Sequence, residues 1–226
     1  MVQSIIDTDL YKFSVSNAYF HLYPLAEGTF TFNDRNKEDW RKYPEFLEAI
    51  TIEFQKLANL ALTDDELQWC IENISYIPTN YWEWLKSFRF DPSKIKFGLD
   101  ENGVFQCEVT DKLYRVTLYE IAILATYAEL RNKIIGAQAK INITNALEYL
   151  DDKIEFANNN HLTFAEFGAR RRFSFTLHDL IVKHLKEKCH VCVGTSDVYF
   201  AKKISYDALR NIPSRMDDVP CRCLWI

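Results

Sequence analysis

Hydrophobic and polar positions change period several times along the chain, and each change predicts an element. Asp7 and Asp9 stand before Leu10 and Phe13, so a short helix capped at one of them and stopped by Pro24 is expected. Phe30 and Phe32 alternate with Thr29 and Thr31 ahead of a polar cluster, which predicts a strand and then a loop. Over residues 38–90 the apolar groups, among them Phe46, Ile50, Ile52 and Leu57, recur every three or four positions, so this block reads as mostly helical, with Thr63 capping one helix. Ile95, Phe97 and Leu99 alternate before "DENG", and Phe105, Cys107 and Val109 alternate after it, which predicts a hairpin. A capping box at Thr117 and Glu120 is expected to open long helices over residues 117 to about 159.

The pattern then repeats itself. "LTFAEF" is a short strand-like run ending at Gly168, followed by Arg170, Arg171 and Arg172 and a helical stripe over 174–187 through Phe175, Leu177, Ile181 and Leu185. "HVCVGTSD" follows the same plan with Gly194, Thr195 and Ser196 before another helix. Two successive strand-loop-helix units imply parallel strands, and ligands bind such arrangements at the carboxyl ends of the strands. There Gly168 would let a ligand near the backbone. The arginines would offer forked donors suited to phosphate, the next helix start would add amides, and Thr195 and Ser196 would add small hydroxyl donors. Against this stands the ordinary fate of a charge run, pairing with acidic residues on a solvated face. Tandem occurrence leaves both readings open.

Composition narrows the field. With 226 residues, 48% of them hydrophobic, the chain can bury a large core. Its formal net charge of -5 argues against attraction of the whole chain to nucleic acid or an anionic membrane, so an anion site has to be local. No run approaches the ~20 apolar residues of a membrane span, and the first residues lack a basic stretch followed by an apolar one, so a cytoplasmic location is expected. The six cysteines are sparse and uneven, which points to reduced thiols. Cys189 and Cys192, three apart on an expected strand and without a second pair, do not read as metal ligands.

Five segments, "DTDLYKFSVSNAYFHLYP", "FTFNDRNK", "VTLYEIAILATYAEL", "EFGARRRFSF" and "GTSDVYFA", resemble in this order the signature segments of nicotinate phosphoribosyltransferases, over roughly residues 5–203. The resemblance implies an N-terminal α+β domain over 1–115, the start of an irregular and incomplete α/β barrel over 116–203, and a homodimer. It also implies joining of nicotinate to phosphoribosyl pyrophosphate with Mg2+ and coupled ATP hydrolysis, giving nicotinate mononucleotide and pyrophosphate for NAD synthesis. Carried over position by position, Tyr11 corresponds to an aromatic stacking on the pyridine ring from the neighbouring subunit and Phe167 to the aromatic on the other face of the ring. Gly168 lies in the same loop, Arg170 corresponds to a phosphate-holding arginine, and Thr195 and Ser196 to the loop beside ring and ribose. Of Arg171 and Arg172, one is expected to make a structural ion pair.

The family pattern breaks after residue 203. The family's phosphorylated histidine would follow "GTS" by about twenty residues, yet no histidine follows His190, and residues 204–226 do not resemble the family. The expectation drawn from the sequence is an N-terminal fragment with a divergent tail and little turnover. Its alternatives are an inactive fragment acting only as a dimerisation partner, or an enzyme for nicotinamide or quinolinate. His21, His161, His178, His184 and His190 are weak catalytic candidates, with His178 and His184 expected on a partly solvated helix face.

Overall fold

The computed structural model describes residues 1–34, 36–136 and 143–205. The predicted alternation becomes an antiparallel sheet of β1 (Glu27–Asn33), β2 (Ile95–Leu99) and β3 (Phe105–Lys112), in the order β1-β3-β2. Phe32 and Phe97 both lie opposite Cys107, and Leu99 lies opposite Phe105. Period two therefore gathers Phe32, Phe105, Cys107, Val109 and Ile95 on one buried face. The hairpin turn forms where expected: Asp100 Oδ1 accepts from the amides of Asn102 and Val104, and Gly103 takes a φ of +78°, which glycine adopts without a Cβ clash.

Helices α1 (Leu10–Leu22), α2 (Phe46–Leu57), α3 (Asp64–Asn73) and α4 (Thr79–Ser87) surround this sheet with α5 (Leu113–Ile134). The cap at Thr63 forms as predicted, with Glu66 N–H donating to Thr63 Oγ1 and Thr63 N–H donating back to Glu66. Helix α5 starts a turn earlier than its sequence suggests. Its N-cap is Lys112 and not Thr117, because β3 runs straight into it and the Leu113 amide donates to Ala26 O. Pairing at the sheet end thus sets the helix start ahead of the local capping signal. Leu118, Tyr119, Ile121, Ala122, Ile123, Ala125, Tyr127 and Leu130 of α5 are all buried, so the helix is apolar on most sides and central to the larger core.

Beyond it come α6 (Ile143–Asn159), β4 (Phe164–Glu166), α7 (Phe175–Lys188), β5 (Cys192–Thr195) and α8 (Val198–Ile204). Strands β4 and β5 pair in parallel, each leading into a helix, so the fold is the expected α+β part followed by the opening units of an α/β arrangement. A smaller core of Leu150, Ile154, Leu185, Cys189 and Cys192 fills the space between α6, α7 and β5. The part of the predicted long helices at 137–142, and residues 206–226 of the tail expected over 204–226, lie outside the described residues.

The N-terminal segment is tied to the loop after β5 and the start of α8. Leu10 N–H donates to Ser196 O, Val198 N–H to Thr8 O and Tyr199 N–H to Ile6 O. Residues 4–10 are buried along this path, so the start of the chain runs beside the exit of β5.

Candidate functional site

The carboxyl ends of β4 and β5 converge on Glu166. Its Oε1 accepts from His178 Nε2 of α7 at 3.0 Å, and its Oε2 from the Thr195 hydroxyl of β5 at 2.6 Å. Its carbonyl oxygen accepts from the Ser196 amide at 2.9 Å. Burial alone would raise the Glu166 carboxyl, but His178, by charge and hydrogen bond, together with the Thr195 hydroxyl and the Gly168 amide, outweighs it and holds the group below the usual carboxylate range. An ionised carboxylate accepts only, so His178 Nε2 carries the hydrogen.

This hub gives Gly168 a different purpose from the expected one. Its φ is ordinary at -91°, but a Cβ there would stand 2.3 Å from Glu166 Oε1 and 3.1 Å from His178 Nε2. Glycine is required by the protein's own carboxylate and imidazole, packed against the turn. Phe167, between the end of β4 and Gly168, is 53% exposed, and Arg170 lies in the turn Ala169–Arg171 with its side chain 48% exposed. Tyr11 on α1 is also exposed, at 42%. It is connected to Arg170 through Lys12, whose Nζ lies 4.8 Å from the Tyr11 ring centroid and pairs with Glu120, which in turn meets Arg170 Nη2 at 3.2 Å.

Several expectations need correction. Thr195 and Ser196 are buried, and their hydroxyls donate to Glu166 and to Asp9 (2.5 Å), so they are not free donors for a ligand. Asp9 is indeed the N-cap position of α1 but makes no side-chain capping bond, since its carboxyl is turned to Ser196. Burial raises the Asp9 carboxyl, with Glu166 nearby adding to it against the Ser196 bond. The start of α7 does not offer amides to an anion at Phe175 or Leu177, which donate to Glu129 and Ser174. His178 is buried and not partly solvated, because α7 turns this side toward Glu166 and the Phe200 ring, 4.6 Å away. His184 faces Asp151 of α6 at 2.7 Å, as a link between two helices.

The three arginines separate. Arg172 turns inward and holds Asp7 through both terminal nitrogens, at 2.5 and 3.0 Å, with Met1 O at 3.1 Å. It is the structural member of the set. Arg171 is exposed, and Arg170 is half-exposed beside Glu120. Next to the Arg172 pair lies Asp197, fully buried. Its Oδ1 accepts from Phe200 N–H, while its Oδ2 has no partner among the described residues. Burial first, and then Asp7 beside it, push its carboxyl well above the usual range against the pull of Arg172.

Sequence reasoning passed over Glu166, Lys12 and Asp197, and gave Asp7 and Glu120 only capping roles, whereas they pair with Arg172 and with Lys12 and Arg170. A signal existed for Lys12, a charged residue among the buried α1 positions Leu10, Phe13 and Ser16. The defining partners of the others come from separate elements, as Glu166 with Thr195, Glu120 with Lys12 and Asp7 with Arg172, and no local period reveals them.

Comparison with known proteins agrees with this layout. Residues 6–128 match the nicotinate phosphoribosyltransferase (NAPRTase) N-terminal domain, and residues 162–212 match the nicotinate phosphoribosyltransferase (NAPRTase) family. Nicotinate phosphoribosyltransferase 2 of Pseudomonas aeruginosa is 36% identical over 92% of this chain and 53% of its own length. The nicotinate phosphoribosyltransferase of Methanosarcina acetivorans is 35% identical over 90% of this chain and 53% of its own. The crystal structure of nicotinate phosphoribosyltransferase from Porphyromonas gingivalis superposes with a TM-score of 0.86 at 37% identity, covering 92% of this chain and 53% of that one. The chain spans about half the length of the relatives it matches. Two matched segments that between them carry Tyr11, Glu120 and the β4–β5 loops, in the order the fold requires, establish that the chain belongs to the nicotinate phosphoribosyltransferase family.

Proposed function

We propose that the chain serves a nicotinate phosphoribosyltransferase, joining nicotinate to phosphoribosyl pyrophosphate in a homodimeric, cytoplasmic, ATP-coupled enzyme of NAD synthesis. The observation that carries it is the turn after β4, where an exposed Phe167 and a half-exposed Arg170 are fixed in place by the buried Glu166 hub. An aromatic face suits an electron-poor pyridine ring, and a guanidinium beside it suits phosphate. The pyridine nitrogen is itself the nucleophile at the ribose C1, so the site needs to position the ring and neutralise the departing pyrophosphate, without a general base.

Among the described residues no group of three or more His, Cys, Asp or Glu side chains can hold a metal ion. Mg2+ that enters with the substrate's pyrophosphate needs only one or two protein carboxylates beside the phosphates, and no step of this reading runs through it. No helix among them is long and apolar enough to cross a membrane.

Nicotinate titration followed by calorimetry tests the reading, with nicotinamide and quinolinate as competitors and nicotinate mononucleotide formation as the companion assay. Nicotinate is expected to bind in preference to both. Phe167→Ala is expected to weaken it about tenfold, from the ~0.5–1.5 kcal/mol of stacking plus lost apolar contact. A chain that prefers nicotinamide or quinolinate, or a Phe167→Ala variant that binds like the parent, would overturn it.

The homodimer draws support from α1. Tyr11, Val15 and Leu22 are exposed at spacings of four and seven, on one helix face, with exposed Tyr23 and Leu25 continuing the apolar surface. A second copy is the expected occupant, bringing Tyr11 to the partner's ring site. Replacing Val15 and Leu22 together with aspartate is expected to convert a dimer to a folded monomer in sedimentation velocity. A parent chain that sediments as a monomer would refute this.

A further inference from the structure

We propose that Glu120 is the resident counter-ion of Arg170, and that a phosphate-bearing ligand takes Arg170 by displacing it from this carboxylate. The inference rests on the reading of Arg170 as an anion-binding arginine and adds a residue that regulates its availability.

Glu120 stands on α5 and divides its two oxygens between cations of unlike exposure. Oε2 pairs with Lys12 of α1, whose side chain is 8% exposed, and Oε1 meets Arg170 Nη2 at 3.2 Å, where the arginine side chain is 48% exposed. The two partnerships therefore differ in how easily they exchange. A half-solvated ion pair contributes little, since water and salt compete for both charges. The Lys12 pair is nearly enclosed and cannot be broken without leaving a buried charge alone. When Arg170 leaves, Lys12 still compensates Glu120, so the exchange strands no buried ion.

The outgoing arginine gains a better partner. A phosphate presents oxygens at the spacing of the guanidinium fork and can accept two parallel hydrogen bonds from it. Arg170 sits on the short turn Ala169–Arg171, between the buried contacts of Glu166 and the inward anchor Arg172, so the backbone that carries it is held on both sides while the side chain swings. The Arg172 pair with Asp7 shows the contrast. It is 1% exposed and two-pronged, which is the arrangement of a fixed strut.

Glu120 in this role lowers the affinity of the empty site for anions in general and keeps the arginine folded back until a multiply charged ligand arrives. Removing its charge should therefore tighten anion binding, a gain that a merely structural role would not produce.

The test is isothermal titration of the full chain with inorganic phosphate and inorganic pyrophosphate, with circular dichroism to establish that each variant is folded. E120Q is expected to bind both anions about tenfold more tightly than the parent, the effect of deleting one charge at ion-pair distance in a partly solvated setting. Combined with R170Q, the gain is expected to vanish. Should E120Q leave Lys12 uncompensated and unfold, K12M/E120Q replaces the whole pair by neutral groups and carries the same comparison. Equal anion affinity in the parent and the E120Q or K12M/E120Q variant overturns the proposal, as does a gain that survives loss of Arg170. Nicotinate titrations of the same proteins separate the two ideas. If none binds nicotinate while the anion series behaves as stated, the enzyme reading falls and the counter-ion role of Glu120 stands.

Discussion

Arg172→Ala is expected to lower the unfolding free energy by about 3–5 kcal/mol at pH 7, which brings a domain of ordinary stability close to unfolding. Among the described residues the arginine is the one cation holding Asp7, and it lies against Asp197, whose Oδ2 has no hydrogen-bond partner there. Its loss leaves two carboxyls enclosed beside each other. Arg172→Lys keeps the charge but not the two-pronged bond to Asp7, so it should recover only part of the loss.

The deficit should also depend on pH. In the folded chain burial raises the Asp197 carboxyl above its ordinary value of 3.8, so its contribution to stability is present below that value and is lost as pH rises through the folded pKa. Arg172 restrains the rise; without it the folded pKa climbs further, the cost near neutral pH grows, and acid relieves it. The difference between parent and Arg172→Ala is therefore expected to shrink as pH falls from 7 toward the carboxylate range. Glu166, held below the ordinary carboxylate range, loses its contribution as pH falls, but it does so in both proteins and cancels in the difference. Urea unfolding followed by tryptophan fluorescence at several pH values reads this directly. A loss below about 1 kcal/mol, or a difference that does not move with pH, would mean that Arg172 is not the strut between the chain start and the β4 turn.

Phe105→Ala is expected to cost a similar amount, about 3–5 kcal/mol, with no such pH dependence. Phe105 is fully buried on the central strand β3, with its ring 5.3 Å from Tyr127 in a stacked arrangement, 5.3 Å from Phe46 and 5.4 Å from Phe32 edge-on. Truncation opens a cavity between sheet, α2 and α5 that these large neighbours cannot close, so transfer and cavity terms add. Trp40 stacks on Phe46 at 3.6 Å and donates from Nε1 to Tyr127 OH, which donates to Asp34, so the same cluster also holds a buried polar chain in register. Thermal and urea unfolding should fall together, and a loss below about 1.5 kcal/mol would show that the cluster repacks.

The sequence by itself determined the elements whose signals are local. Alternation at Phe30 and Phe32, and at Phe105, Cys107 and Val109, became strands because period two has one buried face available to it. Thr63 and Glu66 became a cap because both partners lie within one turn. Tyr11, Phe167 and Arg170 stood out in quoted motifs and are exposed side chains in the structure. Tertiary structure decided what distance hides. It moved the start of α5 from Thr117 to Leu113, because the strand end fixes the backbone before a hydroxyl can. It spent the Thr195 and Ser196 hydroxyls on Glu166 and Asp9, and it buried His178, since buried polar groups must find partners and these partners come from other elements. It also divided three adjacent arginines into a strut at Arg172, a solvated Arg171 and a half-exposed Arg170 paired with Glu120. A run of equal charges carries no mark of which member will turn inward; that choice is set by the carboxylates that folding brings within reach.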